Sequence, residues 1–249
     1  MNERFEREAM LLGQEAVDYL ATCRVALFGV GGVGSYAAEA LARSGVGMVE
    51  LVDGDTVCRT NINRQLIALE STVGRAKVEV AAERMRDINP EIRVICRREV
   101  ILPETAQKFD FSAYDFVIDA IDTVSGKLAI AEAAVRAGVP MICCMGTGNK
   151  SDPTALRVTD LSKTSVCPLA RVMRRELKKR GILHLPVIYS EEPAMVPMAA
   201  GEHAGGKVTP GSLAFVPSVA GLIAAAEAVK CLLKRKNEAE SGEAESEHE

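Results

Sequence analysis

Residues 25 to 34 read Val25-Ala-Leu-Phe-Gly29-Val-Gly31-Gly32-Val-Gly34, and no other stretch limits the fold so tightly. Four apolar residues run into Gly29-x-Gly31-x-x-Gly34, and Ser35 to Arg43 follows at helical periodicity, so the pattern is buried strand, tight turn, helix. Glycines at these steps admit backbone angles and close approaches that a β-carbon blocks, and they leave helix-terminal N–H groups facing an anion. Such a unit opens a Rossmann-like α/β fold, a mostly parallel sheet with helices on both faces. The spacing alone leaves NAD, FAD and ATP open as guests.

The chain is long enough for one large core, at 249 residues and 48% hydrophobic content. One domain is expected over residues 1–236. Its nucleotide-binding core covers about 22–150, and a substrate- or dimer-directed part, about 151–233, extends the sheet on a smaller scale. No apolar run follows the charged Met1 to Arg7, so no secretory leader is expected and the cytoplasm is the default location. The seven cysteines (23, 58, 96, 143, 144, 167, 231) form no CxxC pair, which argues against a disulfide framework and a four-cysteine zinc site. Residues 237–249 hold six glutamates and no Lys or Arg, and are expected to form a disordered acidic tail. Without those six the net charge moves from −4 to +2, so the acidic total says nothing against an anionic partner.

Further along, short helices are expected within residues 1–22, and Met48 to Val52 is a strand ending in Asp53-Gly54-Asp55. An acid at that register is placed for ribose hydroxyls, which favours Asp53 as a ligand over a solvated turn. Asn61-Ile-Asn63-Arg64-Gln65 concentrates polar groups in a stretch without hydrophobic period, and Gly74 then opens a helix to Ile88 with Lys77 in its first turn. Strands are expected at 92–96 and 116–119, the latter ending in Asp119-Ala-Ile-Asp122 on the edge where open sheets bind ligands. One or both acids could hold magnesium; Asp122 as the N-cap of a helix over 124–137 is equally open. A strand over 141–145 puts Cys143 and Cys144 on opposite faces as packing residues, and Gly146-Thr-Gly148 loops on the same edge. Ala155 to Thr159 and Pro186 to Tyr189 read as strands, with a helix over 167–180 between them. That helix carries six cations from Arg171 to Arg180, either a phosphate-backbone contact or a solvated face. Glu192 to Gly211 reads as a mobile loop over the site or an exchanged connection, and His203 within it receives no role. The apolar stretch 211–233, interrupted by Pro217, Glu227 and Lys230, reads as a buried helix at the sheet or a subunit contact before a membrane span.

Taken in order, Gly29 to Gly34, Asp53-Gly-Asp55, Asn61 to Gln65, Lys77 and Asp119-Ala-Ile-Asp122 resemble the E1-like adenylating family of ubiquitin-like-protein activators. Ala155 to Thr164, Pro168-Leu-Ala-Arg171 and Phe215 to Gly221 resemble its tRNA threonylcarbamoyladenosine dehydratase branch. The resemblance implies ATP-dependent cyclisation of N6-threonylcarbamoyladenosine at position 37 of tRNA through an acyl-adenylate, releasing AMP and pyrophosphate. It implies that Gly29, Gly31, Gly32 and Gly34 cradle phosphates and that Asp53 holds the ribose. Asn61 and Arg64 contact the nucleotide, with Asp55, Asn63 and Gln65 counted in the same motifs, and Lys77 stabilises phosphate charge. Asp122, with Asp119 beside it, holds Mg2+. A second subunit of a homodimer supplies an N-terminal arginine, Arg7 with Arg4 in reserve. The sulfur-carrier activators of the family usually carry two CxxC pairs, which this chain lacks; adenylation of such a carrier, and sulfur-transfer partners, are the alternative. Cys167 stands where the branch often has an acid, and reads as a catalytic thiol or as helix-start packing.

Overall fold

The computed structural model describes residues 3–196, 198, 201–202 and 208–246. Two short helices, α1 (Glu6–Leu12) and α2 (Gln14–Leu20), lead into β1 (Arg24–Phe28), whose Val25, Ala26, Leu27 and Phe28 are fully buried. A strand covered on both faces needs this continuous apolar run, because neither side meets water. There follow α3 (Gly34–Arg43), β2 (Met48–Val52), α4 (Lys77–Ile88), β3 (Arg93–Arg97), α5 (Pro103–Ala106), β4 (Phe116–Asp119) and α6 (Val124–Ala137). The rest comprises β5 (Met141–Cys144), β6 (Leu156–Asp160), α7 (Pro168–Lys179), β7 (Pro186–Ser190) and α8 (Phe215–Ser246).

The main sheet has the order β3-β2-β1-β4-β5-β7-β6. Every pairing is parallel except β6 with β7, so the expected Rossmann-like architecture and its smaller C-terminal extension are both present. Val25 and Leu27 of β1 face a core closed by α3, α4 and α8, whereas Ala26 and Phe28 face one closed by α6, α7 and the Phe111–Tyr114 turn. The order reverses between β1 and β4, the switch point at which loops from neighbouring strands part and leave a crevice.

One boundary differs from expectation. α8 runs to Ser246, so residues 237–246, expected to be a disordered tail, continue a helix; residues 247–249 lie outside the described residues. Ala and Glu are strong helix formers, and extending a helix already nucleated at Phe215 avoids the initiation cost that an isolated tail would bear. By length and composition Phe215–Ala239 is apolar enough to cross a membrane. In the fold, however, Val216, Ala220, Ala224, Ala228 and Leu232 form an edge of it that is wholly buried against the sheet and α3. Small residues set the helix spacing. A β-carbon on Gly221 would lie 2.2 Å from the Val33 carbonyl oxygen and 2.9 Å from Tyr36 Cβ.

Gly221→Ala should therefore lower stability by about 1–3 kcal/mol through overpacking, read as a lower urea midpoint at unchanged m-value. Leu222→Ala, at a half-exposed neighbouring position, should stay within about 0.5 kcal/mol of the parent.

Candidate active site

A cleft of about 510 Å³ opens at the switch point, lined by the glycine loop, the ends of β2, β4 and β5, and the start of α8. Gly29, Gly31 and Gly32 line it. Gly34 does not: a β-carbon there would lie 1.8 Å from the Gly29 carbonyl oxygen, so its part is to let α3 begin directly beneath the turn.

Asp53 bridges two loops from the end of β2. Its Oδ2 accepts from Val30 N at 2.7 Å and its Oδ1 from Asp55 N at 2.9 Å, which fixes the carboxylate on the cleft wall beside the glycine loop. Lys77 is the first residue of α4 and is buried. Its Nζ lies 2.8 Å from Asp55 Oδ2 and 3.9 Å from Asp53 Oδ1. Two carboxylates thus hold the ammonium at the cleft, at a helix start whose dipole by itself disfavours a cation. Arg64 also lines the cleft, its guanidinium donating to Thr60 O at 2.9 Å and Asn63 Oδ1 at 3.0 Å. Asn61 lines it while accepting from Cys58 N at 3.0 Å. Asn63 does not; its amide reaches Ser212 O at 2.9 Å and ties the polar loop to the segment before α8.

Gln65 is the most telling of the five. It is 7% exposed, lines the cleft, and its buried Oε1 has no hydrogen-bond partner. An unmatched buried carbonyl costs roughly 1–3 kcal/mol, which a ligand donor would relieve. The glycine cradle and two cations in one cleft fit a nucleotide phosphate chain, and the orphan carbonyl suits a donor on the same ligand, such as a hydroxyl.

The two aspartates after β4 separate. Asp122 lines the cleft, and the cap position of α6 is Thr123, so the capping alternative for Asp122 is not taken. Asp119, expected beside it as a magnesium ligand, is fully buried and points inward. Its Oδ1 accepts from Lys127 Nζ at 3.1 Å and Ile121 N at 3.2 Å, and its Oδ2 accepts from Cys143 Sγ at 2.8 Å. Lys127, itself fully buried, also donates to Cys144 O at 2.7 Å. Burial works against this ammonium, but the adjoining Asp119 carboxylate outweighs it and the Lys127 pKa lies above its ordinary value. Burial pushes the Cys144 thiol up to about 12 and raises Cys143 as well, so neither is a nucleophile. The two cysteines pack on opposite faces of the sheet as expected, and Cys143 adds its thiol, Cys144 only its backbone carbonyl, to a polar cluster with Asp119 and Lys127. Cys167 is buried at the cap of α7, its sulfur accepting from Ala170 N at 3.5 Å, which is the helix-start reading.

Arg4 and Arg7 are exposed and do not line the cleft. Phe5 between them packs on Gly45, at the amino edge of β2, opposite the edge that carries the site. The cleft is also lined by Leu169 and Pro217, from two stretches that carry the resemblance without an expected role at the site, and by Ser212, which the sequence did not single out. Asn149, at φ +56, binds both ends of the segment expected to cover the site. It receives Gly211 N on its side chain at 2.7 Å and Met195 N on its carbonyl at 2.8 Å. His203 lies outside the described residues.

The ThiF family model matches residues 5–245. The chain is 44% identical over 244 residues to the tRNA threonylcarbamoyladenosine dehydratase of Bacillus subtilis, covering 94% of this chain and 96% of that protein. It is 37% identical to the Escherichia coli enzyme of the same name, covering 94% of each. The crystal structure of the E. coli enzyme, TcdA, in complex with ATP superposes with a TM-score of 0.86 at 37% identity, over 95% of this chain and 96% of that one.

Removing one partner of the buried pair leaves the other as an uncompensated charge. Lys127→Met should cost about 3–5 kcal/mol in urea unfolding, whereas Lys127→Met with Asp119→Leu should recover most of that loss.

Proposed function

Because the chain belongs to the ThiF family of E1-like adenylating proteins, we propose that it dehydrates N6-threonylcarbamoyladenosine at position 37 of tRNA, using ATP. The observation that carries this reading is the convergence of the glycine loop, Arg64, Lys77, Asp122 and the unmatched Gln65 amide on one cleft, in a chain 44% identical to a dehydratase.

The chemistry asks for activation of a carboxylate, whose oxyanion is a poor leaving group. The substrate's threonyl carboxylate attacks the α-phosphorus of ATP, pyrophosphate departs, and the acyl-adenylate is then attacked by a nucleophile in the same side chain. AMP leaves with the former carboxylate oxygen, so one water is lost overall. Both partners of the second step belong to one substrate, and positioning with charge stabilisation is most of what the protein supplies. The glycine-loop N–H groups hold phosphate oxygens, and Asp53 accepts from the ribose. Arg64 and Lys77 offset the charge that builds on the phosphates during attack, and the Gln65 amide gains the donor it lacks. Asp122 is the carboxylate placed for Mg2+, with Asp119 withdrawn into the core. One or two carboxylates suffice for that ion when phosphates and water complete its shell. When bound, magnesium would neutralise phosphate charge.

The N-terminal arginine fits a homodimer. Arg7 starts from the edge of its own sheet opposite the cleft, so a partner's site is the one it serves, and Met10 and Leu11 beside it are 76% and 83% exposed. Such an apolar strip is suited to burial between subunits. The cytoplasm, where tRNA is modified, is the working compartment.

Modified tRNA with ATP should yield AMP and pyrophosphate in equal amounts, followed by chromatography; ADP as the sole nucleotide product would overturn the reading. Arg64→Ala, Lys77→Ala and Asp122→Ala should each stay folded by circular dichroism and lose about 10²-fold or more in rate. Pyrophosphate exchange that depends on a sulfur-carrier protein, and is absent with tRNA, would instead select carrier adenylation. Arg7→Ala should be inactive alone, yet mixing it with inactive Asp122→Ala subunits should restore roughly a quarter of parental activity, since random exchange gives half heterodimers with one intact site each. No recovery on mixing would place the arginine elsewhere, Arg4 first.

A further inference from the structure

Helix α7 lies on the opposite side of the sheet from α8, and its two faces differ sharply. Ala170, Met173 and Leu177 are buried at 1% or less, while Arg171, Arg175 and Lys178 point outward. At 1.5 Å and 100° per residue those three cations form one stripe about 60° wide and about 10 Å long.

The six cations of this helix are not equivalent. Arg174 is turned into the protein, donating to Thr164 Oγ1 at 2.6 Å, Thr164 O at 3.0 Å and Leu161 O at 3.2 Å. Arg180 pairs with Glu132 at 2.9 Å. Glu176 engages Arg175 at 3.1 Å and Lys179 at 2.8 Å, and those bonds, Lys179 foremost, hold its pKa down at about 2. Arg171 and Lys178 are left without an ion pair or side-chain hydrogen bond among the described residues.

Two further observations say what meets this stripe. Leu169 lines the catalytic cleft, so the stripe starts two residues from the cleft wall and runs down the flank. No large apolar side chain of α7 is exposed, in contrast to the Met10, Leu11, Phe215 and Leu222 surfaces of α1 and α8. Protein interfaces are depleted in Lys and centred on apolar residues; nucleic-acid interfaces are basic and polar. Each strand of duplex DNA carries one charge per roughly 3.4 Å of helix axis, and on that scale a stripe of about 10 Å is long enough to meet more than one successive phosphate of a nucleic-acid backbone.

We infer that the outward face of α7, Arg171, Arg175 and Lys178, is a docking surface for the phosphate backbone of the substrate RNA. It holds the strand alongside the cleft while the reacting nucleoside enters it. This inference rests on the tRNA reading above for the identity of the RNA, but not for the existence of the contact.

The test replaces the two unpaired cations, Arg171→Gln with Lys178→Gln, in the full-length protein. The control is Arg24→Gln with Arg93→Gln, an equal change of charge in the groove that those residues line with Glu50, Arg97 and Tyr114 on another part of the surface. Affinity for tRNA is measured between about 50 and 200 mM KCl, with modified tRNA and with unmodified transcript. The α7 variant should bind both RNAs on the order of tenfold more weakly, with a log–log salt slope smaller by about 1.5–2. Its KM for tRNA should rise in proportion, with kcat and the KM for ATP unchanged. Parental affinity and slope in the α7 variant, or an equal loss in the control, overturns the docking surface and leaves the proposed function standing. Absence of AMP release by the parent with modified tRNA overturns the proposed function, and the binding measurements with transcript still decide the surface. An acidic protein as the true occupant would show as unchanged binding of both RNAs.

Discussion

The buried ion pair between Asp119 and Lys127 supports the whole site, because it stands where three elements that build the cleft meet. Lys127 comes from α6, Asp119 ends β4, and the Cys143 thiol and Cys144 carbonyl end β5. The same carboxylate accepts from Ile121 N, which turns the chain so that Ala120 faces the glycine loop and Asp122 faces the cleft. Gly29 packs so closely on Ala120 that a β-carbon would come within 2.7 Å of its carbonyl oxygen. A pair of this kind contributes little net stability against an apolar substitute, since desolvation offsets most of the attraction. What it contributes here is geometry: one arrangement of the loop in which every polar group is matched.

The cleft itself is arranged in the opposite way, with groups held but incompletely matched. Lys77 is held in place by Asp53 and Asp55, and Arg64 is oriented by Thr60 and Asn63, while the Gln65 carbonyl has no partner. Cations braced by neighbouring groups need little reorganisation when phosphate charge arrives, and that is the condition for electrostatic stabilisation to act in a transition state. Rigid core below and unsatisfied wall above are two halves of one design, since a positioned charge is useful only if its support does not move.

The two flanks of the sheet divide the remaining tasks. On one, the Gly221 and alanine edge of α8 comes close to α3, and α1 leaves Met10 and Leu11 exposed beside Arg7. On the other, α7 buries three residues and turns its charge outward beside Leu169. A helix pair packed through small residues and a helix held by a narrow apolar stripe leave different surfaces free, and each surface suits a different class of partner.

Much of this was legible in the residues alone. The strand-turn-helix at 25–43 and the apolar runs of the later strands are local patterns, and period and glycine spacing are enough to read them. Arg64, Lys77 and Asp122 were also legible, because motif order places them on the carboxyl edge wherever the sheet forms. Tertiary structure decided the rest. Asp119 and Asp122 are three residues apart with the same chemistry, and only the packing of α6 on β4 and β5 sends one to the core and the other to the cleft. Residues 237–246 have a composition typical of disorder, and the helix begun at Phe215 carries them along. Lys127 with Cys143, and Asn149 with Gly211, meet across 16 and 62 residues, and no spacing rule reports them. Local pattern determines what a segment is; the direction in which its polar side chains point is set by the neighbours that the fold brings to it.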